Sequence, residues 1–156
     1  MPFRRNVREP MLAVACVKEL PMKRFHLVPA MTNMRGVFYP TGHMVLMFPS
    51  AEDAARAAEL LHKDGVSPDD LSLATPEEFE NQLAAASEDD DDLLLPSVGT
   101  EAETALRFRR LAHQGHHALV VHAASGLSSD HVVDVLRDTH VSYGQRYRFL
   151  VIEDLV

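Results

Sequence analysis

Nine histidines in 156 residues are the one compositional excess here with chemistry in it. His113, His116 and His117 cluster where a helix-like segment ends and a strand-like run begins, and His122 closes that run. Imidazoles on one face, with carboxylates or thiolates at tetrahedral or octahedral reach, make a metal site; His113 and His117 are the candidate ligands. Against this, His116 and His117 diverge if both lie in a strand, because neighbouring strand residues point to opposite faces. A histidine at a helix C-terminus is also favoured by the helix dipole alone. The expectation is capping or surface histidines, with no metal and no cofactor.

A second constellation, His26, Tyr39 and His43, surrounds a loop ahead of the first clear strand. Tyr and His together can do acid–base work or orient a small ligand, which makes these three the candidate catalytic residues. The competing reading is a loop whose Tyr packs and whose histidines are solvated. Asp89, Asp90, Asp91 and Asp92 lack the spaced ligands and the glycine of a calcium loop and read as a solvated acidic linker. No Gly-x-Ser-x-Gly, phosphate-binding glycine loop or dinucleotide fingerprint occurs. Cys16, the single cysteine, has no neighbour that would make it a nucleophile and excludes an internal disulfide, which fits a reducing compartment.

The elements that must position these residues follow from caps and periodicity. The Pro40-Thr41-Gly42 turn opens a strand over His43–Phe48. Ser50 is a good N-cap and Gly65 a stop; between them Ala51, Ala54, Ala55, Ala58 and Leu61 fall on one helical face. A short strand, Leu71–Ala74, precedes Thr75, which caps the next helix with Pro76 at its first position and Glu78 completing a capping box. Another helix is predicted over residues 100–114, with Ala102, Ala105, Leu106 and Ala112 inward. The run His117–His122 reads as a buried strand, Ser129 as the cap of a helix to residue 139, and residues 145–153 as one last, long strand. Short apolar segments at 25–28 and 37–39 are candidate edge strands.

Laid over each other at an offset of about 75 residues, the two strand–helix–strand halves match in element order, with His43 beside His117 and Leu61, Val66 and Ser67 on Leu136, Val141 and Ser142. Two split βαβ units sharing one sheet predict an α+β fold, a ferredoxin-like sandwich with both crossover helices on one face. In this division residues 1–21 are an N-terminal extension, Met22 being an alternative start, and 22–156 a single domain. Its first half is 43–74, its helical insertion 75–115 with the acidic linker 87–96, and its second half 116–156.

Within the last strand Tyr143, Gln145, Tyr147, Phe149 and Val151 share one parity, and Arg146, Arg148, Leu150 and Ile152 the other. With the aromatic side under the helices, the second set forms an open face, half apolar and half basic, that a second subunit or the N-terminal segment would cover. Arg146, Arg148, Leu150 and Ile152 are accordingly the expected interface of a homodimer.

Charge narrows the partners. Residues 1–35 hold seven Lys/Arg against two Glu, and the remainder eight basic against 21 acidic residues, for a net charge of −8. An acidic body repels polyphosphate, so nucleic acid is an unexpected partner except for the basic arm. Arg146-Tyr147-Arg148-Phe149 also lacks the glycine of the strand motif used by RNA-binding versions of this fold. No apolar run approaches the roughly 20 residues of a membrane helix. Arg4, Arg5 and Arg8 ahead of the apolar residues 11–17 imitate a signal peptide, but that run is short and Lys18-Glu19 follow at once, so cytoplasmic residence is expected.

The segment from Asp53-Ala54-Ala55-Arg56 through Leu60-Leu61, Gly65 and Leu71-Ser72-Leu73 resembles the βαβ unit of small bacterial general-stress-type proteins, over about 30 residues. Phe38-Tyr39-Pro40-Thr41-Gly42-His43 and the ending Leu150-Val151-Ile152-Glu153-Asp154-Leu155 look like a group of uncharacterised proteobacterial proteins. The resemblance implies a bacterial cytosolic origin and carries no activity. The function expected is a non-catalytic binding or regulatory module that self-associates through its sheet, its small-molecule ligand unknown. The alternatives are a small enzyme using a His/Tyr pocket near residues 26–43, and nucleic-acid contact by the basic arm.

Overall fold

In the computed structural model the residues described are 23–24, 40–87, 100–123, 126–148 and 151–156. They are an α+β arrangement of strands β1 (Lys23–Arg24), β2 (His43–Phe48), β3 (Leu71–Ala74), β4 (His117–His122), β5 (Tyr143–Arg148) and β6 (Val151–Asp154). The helices are α1 (Ala51–Lys63), α2 (Pro76–Ser87), α3 (Thr100–His113) and α4 (Ser129–Val135). One sheet runs β1-β3-β4-β2-β5-β6, antiparallel throughout except for the short β1, which joins β3 in parallel. Both β2 and β3 run antiparallel to β4, which lies between them, and β4 and β5 likewise flank β2. Each strand–helix–strand half thus leaves a gap that a strand of the other half fills.

Helix starts follow their caps. Ser50 Oγ accepts from Asp53 N–H at 3.1 Å at the start of α1. At α2, Glu78 N–H donates to Thr75 Oγ1 while Thr75 N–H donates to Glu78 Oε2, both at 3.2 Å, which is the reciprocal capping box. For α4 the cap is Ser128 rather than Ser129: Ser128 Oγ accepts from His131 N–H at 3.1 Å, and Ser129 is the first helical residue, buried and bonded to Arg146. That helix stops at Val135 and gives way to a turn rather than running on to residue 139.

Helices cover both faces of the sheet. Met44, Leu46, Phe48, Leu119 and Val121 pack with Ala54, Ala57, Ala58 and Leu61 of α1 and Val132 of α4. The opposite parity, Val45, Met47, Ala118, Val120, Tyr143 and Tyr147, packs under Phe79 and Leu83 of α2 and Phe108 and Ala112 of α3. Phe108 is the hinge of this second layer, edge-on to Phe79 (centroids 6.0 Å apart) and tilted on Tyr143 (5.1 Å). In α3, Leu106 is 57% exposed and Phe108 takes the inward position, so the buried stripe is rotated from the one expected. In α1, Ala57 is buried and Ala51 exposed. The predicted insertion is therefore the lid of the face that carries Tyr143 and Tyr147, while the face of Arg146, expected to be open, lies under α1 and α4.

The predicted last strand is two. The chain reverses between Arg148 and Val151, so β6 lies beside β5, with Tyr147 opposite Ile152 and Arg146 opposite Glu153. Cross-strand partners share a face, and Ile152 packs against the cluster that contains Tyr147. Parity counted through a continuous strand does not survive a reversal, which is why Arg146, Arg148 and Ile152 do not form one face; Leu150 lies outside the described residues. Arg146 Nη1 donates to Ser129 Oγ at 3.0 Å on the α4 side, and Arg148 Nε meets Glu153 Oε2 at 3.0 Å. Gly144 sits in close packing: a Cβ there would lie 2.6 Å from Leu46 Cδ2 and 3.3 Å from Leu155 Cβ, so a side chain would displace Leu46. No helix among the described residues is long and apolar enough to cross a membrane.

Candidate functional site

Antiparallel pairing sets the first residue of one strand beside the last of its neighbour. His43, which opens β2, is therefore the register partner of His122, which closes β4, and their rings lie 5.0 Å apart. The next strand extends the row: Leu71 pairs with Val121, so Asp70 just ahead of β3 comes level with His122, and Asp70 Oδ1 lies 3.1 Å from His122 Nδ1. The turn that delivers His43 is held by the backbone. Gly42, at φ 78°, donates its N–H to Tyr147 O (2.8 Å) and accepts from Ala123 N–H (2.8 Å). A positive φ is where glycine is at no steric disadvantage.

A second histidine–carboxylate pair faces the same end of the sheet. Asp64, the C-cap of α1, meets His131 of α4 at 2.5 Å between Oδ2 and Nε2. Asp64, Asp70, His122 and His131, with Gly65, Val66, Ser67, Gly126 and Leu127, line a cleft of about 390 Å³, within the roughly 300–1,000 Å³ usual for small-molecule sites. A carboxylate only accepts, so each aspartate fixes which imidazole nitrogen carries the proton and orients the ring. His122 is thereby set to offer Nε2, and His131 to offer Nδ1, as a base or acceptor.

Burial, the largest influence, lowers His43 below its ordinary value near 6.5, against the opposing pull of the Thr41 carbonyl, with His122 adding to the lowering. His117 is lowered by burial as well, at the other end of β4. The unfolded chain therefore binds more protons than the folded one at these two positions. Their contribution to stability is complete above the unfolded value and is lost as pH falls through the depressed folded ones. Denaturant midpoints should accordingly drop between about pH 7.5 and pH 5, the range over which histidine titrates. His43→Gln should shrink that drop, and an unchanged drop in the variant would show that His43 plays no part in it.

The predicted metal candidates do not meet. His113 Nδ1 reaches Glu80 Oε1 of α2 at 3.4 Å, while His117 lines a separate hollow of about 260 Å³ with Arg24, Thr75 and Glu78. His116 is used locally, its Nδ1 at 3.1 Å from Leu111 O and its Nε2 at 3.1 Å from Ser142 Oγ. Among the described residues no three His, Cys, Asp or Glu side chains are placed to hold a metal ion. Of the loop constellation only His43 is described; His26 and Tyr39, like Cys16 and all of the basic arm but Lys23 and Arg24, lie outside the described residues. Sequence reasoning missed Asp64, Asp70 and His131. The usable signal was that His43 and His122 bound two strands of equal length, which antiparallel pairing would bring together. No protein family, curated protein or solved structure matches the chain.

Proposed function

We propose that this chain is a non-catalytic, small-ligand binding or regulatory module of the bacterial cytoplasm, built on a ferredoxin-like sandwich. The strand order β3-β4-β2-β5, with α1 and α4 packed on one face, supports that fold. The observation that carries the function is the end-of-sheet cleft in which Asp64–His131 and Asp70–His122 oppose the mouth of a concave, partly apolar hollow. Self-association in this reading uses the edge of β6, since both sheet faces lie under helices. The test is an NMR titration of histidine-labelled protein with guanidinium, ammonium, carboxylate, phosphate and neutral sugar compounds. One class should shift His122 and His131 and leave His113 and His116 unmoved; if none does, the reading fails.

The row Asp70–His122–His43 favours a second reading, a small enzyme with His122 Nε2 as general base. It takes over if the protein turns over p-nitrophenyl acetate faster than free imidazole does and His122→Gln abolishes that excess.

A further inference from the structure

In the cleft the aspartates consume the ring N–H groups. The nitrogens that meet them, His122 Nδ1 and His131 Nε2, must be the protonated ones, because a carboxylate has no proton to give. With both rings neutral, each imidazole keeps a lone pair on its other nitrogen and each carboxylate keeps a second oxygen outside the pair. All four ionisable side chains then present acceptors, two of them anionic, and neither Lys nor Arg is among the described residues that line the cleft. Such a wall repels a carboxylate or a phosphate, which bring acceptors and negative charge of their own. A metal ion would suit the charge, but it needs several ligands converging on one point, and among the described residues no three such side chains do so. Acceptors spread around a hollow are met instead by a ligand that spreads its donors.

We infer, resting on the binding reading above, that the cleft takes an organic cation: a guanidinium or primary ammonium group on a short aliphatic chain. A guanidinium directs its fork of N–H donors at separated oxygens and ring nitrogens and carries no acceptor. Asp64 and Asp70 supply the countercharge, and Val66 and Leu127 supply apolar wall for the chain.

Agmatine, a guanidinium and an ammonium joined by a butyl chain, is the probe, added to the full-length protein. Calorimetry should show saturable binding at one equivalent, and the Asp64→Asn, Asp70→Asn double variant should bind about tenfold or more weakly, because each amide replaces an anion and brings donors. Thermal melting of the variant checks that it is folded. Independently of any variant, agmatine should shift the His122 and His131 resonances while n-butanol does not. Equal response to n-butanol, or binding untouched in a folded double variant, overturns the inference. So does zinc bound at one equivalent through the same residues with agmatine unable to compete. If phosphate or acetate shifts the two histidines and agmatine does not, the cation assignment falls and the binding module stands. Silence from every probe removes both.

Discussion

Phe108→Ala should lower stability by about 3–5 kcal/mol, the usual cost of emptying a fully buried aromatic site. Phe108 is 0% exposed and touches both partners that define its layer, Phe79 across the helix pair and Tyr143 on the sheet. Deleting its ring empties the space between Phe79 and Tyr143, whose ring also meets the Arg107 guanidinium 4.1 Å from its centroid. Against a total stability of roughly 5–15 kcal/mol for a small domain, the loss is a large fraction of the whole. Chemical denaturation of the variant checks it. A loss below about 1 kcal/mol would mean that α2 and α3 are an ornament on a sheet already stable without them.

Tyr147→Asp should abolish cooperative unfolding altogether. Tyr147 is 0% exposed beneath α2 and α3. The substitution removes an aromatic side chain and also puts a carboxylate where water does not reach, a burial that costs several kcal/mol without a partner. Ile152→Asp should also destabilise, by a smaller amount of about 1–2 kcal/mol, because a half-buried aliphatic side chain gives up part of the 1.5–3 kcal/mol of full burial. An Ile152 at the centre of the homodimer interface expected from sequence would instead give a folded monomer on Ile152→Asp. The pairing of Ile152 with Tyr147 replaces it with graded destabilisation on a single face. Circular dichroism and sedimentation on the two variants decide: an Ile152→Asp protein with wild-type stability and halved mass would restore the dimer face.

What could be read from sequence was what is decided within a few residues. Ser50, Thr75 and Glu78 cap their helices as their spacing requires, and the bounds of β2, β3 and β4 fall where the apolar runs begin and end. Errors appear where a distant segment intervenes. Leu106 and Phe108 compete for the inward side of α3, and only the position of Phe79 and Tyr143 decides between them. Residues 145–153 alternate well enough to pass for one strand, because the reversal carries no glycine or proline to mark it. The candidate cleft was hidden for the same reason: Asp64 and His131 are 67 residues apart and Asp70 and His122 are 52 apart. Sequence proximity drew attention to His113, His116 and His117, which the fold sends to three different neighbourhoods.

The interleaving of the halves also dictates the order in which the chain can fold. Strand β2 pairs with β4 and β5 and with nothing in its own half, while β3 finds its antiparallel partner only in β4. As the polypeptide leaves the ribosome, the apolar run His43–Phe48 therefore has no ladder to join until residues 117–122 have been made, and its second edge stays bare until 143–148 follow. Helices α1 and α2, closed by local caps, can form during that wait, but a sheet cannot. Folding is thus tied to late, long-range loop closure, the kind of contact that slows a small domain most. In the interval its most apolar strand is the segment in greatest need of a chaperone.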